Sequence, residues 1–97
     1  MLFHITHQHD EHTCPVRDGD TAAKTFGSLV ENLTEHVDEV IGVWGDPLGH
    51  TLFAVVEADE ASQIMQGFFP IIDAGTAQVR PIVKMDTVME VRDEMAG

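Results

Sequence analysis

Basic residues are scarce in this chain: five Lys and Arg stand against 17 Asp and Glu, for a net charge of -12. Phosphate contacts need clustered Lys and Arg, so nucleic acid and anionic membrane surfaces are excluded as expected partners. The acidity is spread along the whole chain, which reads first as solubility, and it also concentrates cations at the surface. No run of about 18 apolar residues occurs, so no transmembrane helix is expected. The start shows no charged segment leading into an apolar one, so no secretory signal is expected. A single cysteine, Cys14, cannot form an internal disulfide, which fits a reducing, cytoplasmic setting. At 97 residues the chain suits one domain, 1–97, with a modest core.

Against these absences stands one dense stretch. His7-Gln8-His9-Asp10-Glu11-His12-Thr13-Cys14-Pro15 holds three of the six histidines and the sole cysteine. It follows Met1 to Gln8, whose alternation with Phe3 and Ile5 reads as a first strand. Alternation places His7 and His9 on one face, and the loop behind them can return His12 and Cys14. Imidazole and thiolate are ligands that Zn, Cu and Ni accept. The expected metal set is therefore His7, His9, His12 and Cys14, with His50 added by the fold.

The rest of the chain predicts that addition. Asp20 is a candidate N-cap for a helix with apolar positions Ala22, Phe26, Leu29, Val30, Leu33 and Val37. Within it Gly27 costs about 1 kcal/mol relative to Ala and suggests a close approach to the sheet. Val40 to Trp44 and Thr51 to Ala58 read as two strands joined by the turn Asp46-Pro47-Leu48-Gly49. The second of them is apolar on both faces, so it is expected to be central. Asp59 is a candidate cap for a second helix with Ala61, Ile64, Met65, Phe68 and Phe69 inward, ended by Pro70. Thr76 to Met85 is a fourth strand, marked as an edge by Pro81. Asp86 to Met95 reads as either a short helix or an arm.

The order β-α-β-β-α-β predicts an α+β, ferredoxin-like fold with strand order 4-1-3-2 and both helices on one face. His50, at the start of the third strand, then meets the end of the first, beside Trp44 and the Ile71-Ile72 loop. His36 falls at the opposite end, where it suits a helix C-terminus. The helix-free sheet face needs a cover the chain cannot supply, so a homodimer stacking sheet on sheet is expected.

With Met1 to Pro15, the Asp46 to Asp59 stretch and Val79-Arg80-Pro81-Ile82, the chain resembles the dimeric α/β-barrel superfamily of ferredoxin-like domains. Within it, the chain is similar to a small His- and Cys-Pro-containing family that carries no assigned activity. The superfamily includes cofactor-independent monooxygenases, haem-degrading enzymes, isomerases, stress-response proteins and a group reported to bind nickel. No catalytic set of those enzymes is matched residue by residue, and fold kinship does not assign function.

The leading expectation is a transition-metal protein (Zn, Cu or Ni) for storage, sensing or a small metal-dependent activity. The alternative is a cofactor-independent monooxygenase or isomerase acting on an apolar small molecule in the barrel cavity, with His4 and Trp44 as its residues. A Cys14 nucleophile with His12 as base ranks lower, because no third orienting group is apparent. The stretch approaches the H-x-H-x-D-H hydrolase signature, but Glu11 sits at the acidic place and that fold needs a longer chain.

Overall fold

The computed structural model describes all 97 residues. Four strands, β1 (Leu2–Gln8), β2 (Glu39–Asp46), β3 (Thr51–Glu57) and β4 (Thr76–Ile82), form one antiparallel sheet in the order β2-β3-β1-β4. From the opposite edge this is 4-1-3-2, the expected α+β, ferredoxin-like order. β4 pairs only with β1, which leaves Pro81 on an edge strand, where a proline is tolerated.

The helical segments cover one face. Phe3 and Ile5 of β1 and Ala54 and Val56 of β3 point into a core shared with Leu29, Leu33, Ile64, Phe68 and Ile71. The alternation of buried and part-buried residues along β1 and β3 follows from this one-sided cover. Phe53 and Val55 of β3 remain part-exposed on the other face.

The first helical region differs from the single helix expected. It starts two residues earlier, with Asp18 as N-cap accepting from the Thr21 amide at 3.2 Å, so Asp20 lies inside the first turn. α1 (Gly19–Lys24) then gives way to a 3-10 turn, Phe26–Ser28, before α2 (Leu29–His36) resumes. The Thr25 and Ser28 hydroxyls donate back to the Thr21 and Lys24 carbonyls at 2.7 and 2.9 Å, competing with the helical ladder at the break. Only Leu29 and Leu33 of α2 are buried, with Val37 just after it, while Val30 faces solvent.

α3 (Ala61–Gly67) is capped by Glu60 rather than Asp59: Glu60 and Gln63 form a reciprocal capping box. Its inward stripe is shorter than expected, since Met65 and Phe69 are exposed while Ile64 and Phe68 are buried. Pro70 does not end α3; it sits in a 3-10 turn, Phe69–Ile71, beyond the Phe68 cap. The close helix approach falls at Gly67, where a Cβ would come within 2.5 Å of Leu33 Cδ2, and not at Gly27. β2 runs longer than expected and β4 stops at Ile82. The C-terminal segment is both helix and arm: α4 (Met85–Ala96) has no buried residue.

Candidate functional site

The functional corner is built where β1 ends beside the β2–β3 turn. The His9 amide donates to the His50 carbonyl at 3.1 Å, extending the ladder one step past β1. Gln8 clamps the same junction, its Nε2 donating to the carbonyls of Gly49 and His50 at 3.0 and 3.2 Å while its Oε1 accepts from Thr51 Oγ1 at 2.7 Å. In the turn itself, Asp46 Oδ1 accepts from the Gly49 amide at 3.0 Å. His50 follows with φ of 51°, a left-handed conformation that is uncommon outside Gly, Asn, Asp and His. That backbone turns the His50 ring towards β1, leaving Nδ1 3.4 Å from His9 Nε2.

Asp10 folds the loop back. Its Oδ1 accepts from the amides of His12 and Thr13 at 2.8 and 3.1 Å, and its carbonyl accepts from the Cys14 amide at 2.9 Å. The His12 amide in particular holds the Asp10 carboxyl below the usual carboxylate range, against the cost of desolvation. Residue type alone leaves Asp10 as either a support for the metal ligands or a solvated carboxylate; its spacing to Thr13 is the signal of a side-chain-closed turn.

The result is a cluster of His9, Cys14 and His50, whose donor atoms all lie within 4.8 Å of one another. Its members come from the loop after β1 and from the β2–β3 turn. They line a cavity of about 520 Å³ together with Ala22, Phe26, Asp46 and Leu52. The His9 ring packs on Phe26 with centroids 4.9 Å apart. Burial, followed by the neighbouring His50, pushes the His9 pKa down, and Asp10 opposes that shift. Low-pKa imidazoles stay neutral and keep a lone pair for a cation.

The other two expected ligands lie apart. His7 points into the core on the Ile5 face, 2% exposed, its ring stacked on Phe68 and edge-on to Phe26. It is 6.1 Å from His9 between ring centroids, and neither of its nitrogens has a hydrogen-bond partner. His12 is 83% exposed, beside Glu11 at 3.7 Å. Its amide is spent closing the turn on Asp10, which leaves the side chain outside. His36, at the far end, donates from Nδ1 to the Asn32 carbonyl at 2.8 Å. His4 lies on the helix-free face, 6.3 Å from Phe53 between ring centroids. Trp44 covers Gly42 on that same face, where a Cβ would strike its ring.

No helix is long and apolar enough to cross a membrane. Among curated proteins, none matches this sequence. A family model does match, over residues 1–96, and the chain belongs to that family, described as a domain of unknown function, DUF3303.

Proposed function

We propose that the chain binds one transition-metal ion through His9 and His50 imidazole nitrogens and the Cys14 thiolate. The observation that carries this reading is the convergence of three ligand atoms within 4.8 Å from segments about forty residues apart. Two imidazole nitrogens bound at about 2.0–2.1 Å to a tetrahedral Zn²⁺ are held about 3.4 Å apart. His9 Nε2 and His50 Nδ1 already stand at 3.4 Å.

Two imidazoles and one thiolate suit Zn, Cu and Ni alike. Three protein ligands facing a 520 Å³ cavity leave a fourth coordination position for water or a small molecule, which separates this site from a closed structural one. Exchange of that ligand fits sensing or a small metal-dependent activity better than storage. His7 and His12 serve no coordination role in this reading.

The test uses protein purified without a nickel column and stripped with chelator, then titrated with Co²⁺. A thiolate-to-cobalt charge-transfer band at one equivalent is expected. It should vanish in Cys14→Ser and persist in His12→Ala. A band that survives Cys14→Ser, or no stoichiometric binding to folded protein, overturns the assignment.

The helix-free sheet face, with Phe53, Val55 and Trp44, supports a homodimer as the assembled form, because an antiparallel sheet apolar on both faces is stable only with both covered. Sedimentation at several concentrations checks this. A monomer throughout the micromolar range would refute it.

A further inference from the structure

We infer that a second pocket, separate from the metal corner, binds a small uncharged molecule that is apolar except for one hydrogen-bonding group, such as a substituted phenol. This pocket lies between β1, α3 and β4 and shares no lining residue with the cavity at His9, Cys14 and His50. Its volume is about 240 Å³, and nine of its 11 lining residues are hydrophobic. The two others are Gly75 and His7. An engineered apolar cavity of about 150 Å³ takes up benzene, so this one has room for a ring with substituents.

His7 supplies the polar group. It is 2% exposed, yet both ring nitrogens lack partners, and buried polar groups left in that state are costly. The Ile71 carbonyl lies close enough to raise the His7 pKa against burial but stands outside hydrogen-bond geometry. As an acceptor it could answer only one of the two nitrogens, because a neutral imidazole offers one donor and one acceptor. The ring edge between the two nitrogens faces Gly75: a Cβ there would lie 2.9 Å from His7 Cε1. That Cβ would also meet the Gln8 carbonyl, so only glycine fits against the end of β1 here, and it places no side chain in front of the only hydrogen-bonding side chain in the pocket. Water is a poor occupant, because an ordered water needs two to four polar partners and His7 is the one hydrogen-bonding side chain in the walls. An ion is a worse one, because an apolar wall cannot repay its desolvation. A ring carrying one hydroxyl satisfies both requirements: it covers Ile5, Ile64, Phe68 and Val79 and reaches His7.

The experiment titrates the full-length ¹⁵N-labelled chain, with chelator present, with p-cresol and with toluene. Amide shifts of the pocket residues and the His7 ring nitrogens are followed. An apolar pocket without a hydrogen-bonding group favours toluene, whose methyl-substituted ring has no hydroxyl to desolvate. The expected result is the reverse: p-cresol binds about tenfold tighter, the worth of one good buried hydrogen bond, and moves the His7 nitrogen signals. In His7→Phe the order should return to toluene first. Ala77→Phe, placed opposite His7 in the β1–β4 register, keeps the imidazole and fills the space, so both compounds should lose binding. The inference is overturned if folded wild-type protein binds neither compound, if toluene is preferred, or if Ala77→Phe leaves p-cresol binding unchanged. Because chelator is present throughout, these outcomes are distinguishable from failure of the metal assignment.

Discussion

The loop after β1 and helix α4 are both conspicuous in the sequence, one for its ligand atoms and the other for its apolar residues. Folding treats them differently. The loop is tied to a turn about forty residues away by the His9 amide and the Gln8 side chain. In α4, by contrast, Met85, Val88, Met89, Val91 and Met95 all face solvent, and the molecule extends 56 Å along one axis against 27 and 17 Å along the others. Residue type made both segments competent for a role. Only long-range pairing gave one of them a partner, so contact across the sheet, rather than local pattern, is what marks a site here.

The sharpest way to break this contrast is to move from α4 to a helix that is held. Leu33 of α2 is fully buried and packs against Gly67 of α3. Leu33→Ala should cost about 2–5 kcal/mol, as deletions of buried leucine side chains do. Val88→Ala in α4 should fall within about 0.5 kcal/mol of wild type. Urea denaturation read at constant slope measures both. Similar losses for the two would mean that α4 is packed after all.

The next effect separates residues within the loop. His9→Ala or His50→Ala should weaken metal binding by at least about 100-fold, since even groups that only orient ligands are worth about 10–100-fold. His12→Ala, three residues from His9, should change it by less than about twofold, because its 83%-exposed ring lies outside the cluster. Competition titration against a chelator of known affinity reads both, and equal effects would dissolve the distinction.

Much of this was legible in advance because the sheet obeys simple rules. Alternation in β1 and β3, the Asp46 to Gly49 turn and the strand order together predicted that His50 would meet the end of β1. The helix boundaries were less readable. Asp18 and Glu60 compete with Asp20 and Asp59 as caps, and choosing between adjacent acidic residues depends on which side chain reaches an amide. The inward stripe of α3 was overestimated: Met65 falls on the outer side of α3 beside buried Ile64, and Phe69 lies past the helix in a 3-10 turn that leaves its ring outside. Placement of His7 and His12 was illegible for a related reason. Alternation put His7 on the His9 face but could not reveal that Phe68 and Phe26 would enclose it, and spacing alone could not show that Asp10 closes a turn with His12 at its tip.

A smaller effect concerns pH. Burial is the main cause pushing the His7 and His9 pKa values below the ordinary imidazole value of 6.5. The unfolded chain therefore binds more protons than the folded one as pH falls below 6.5, and stability drops with it. Above 6.5 the contribution is flat. The lowered carboxyls of Asp10 and Asp18 add stability that is lost only in the lower window, as pH falls below 3.8 and through their folded values, so the two windows are separable. Denaturation midpoints measured within the upper window, from pH 6.5 downwards and above the carboxyl window, should fall with decreasing pH, and His7→Phe should flatten part of that slope. An unchanged slope in this variant would show that His7 is protonated at no cost, contrary to its enclosure by Phe26 and Phe68.

The smallest effect tests α4 itself. An isolated helix of 12 residues is marginal in water, and α4 adds no buried residue to offset the entropy of ordering it. Deleting residues 85–97 should therefore leave the unfolding free energy of the remaining chain unchanged within about 0.5 kcal/mol. Amide exchange in the intact chain should be fast along α4 and slow at Leu33, where local opening requires the core to separate. Repeating the melts across protein concentration makes the comparison decisive, because a partner that binds only the folded chain stabilises it by mass action. If deletion lowers the melting temperature only at high concentration, α4 is held by another copy. Its exposed stripe would then have a long-range partner of the kind that His9 finds in His50, and the difference between the two regions would lie in which chain supplies the partner.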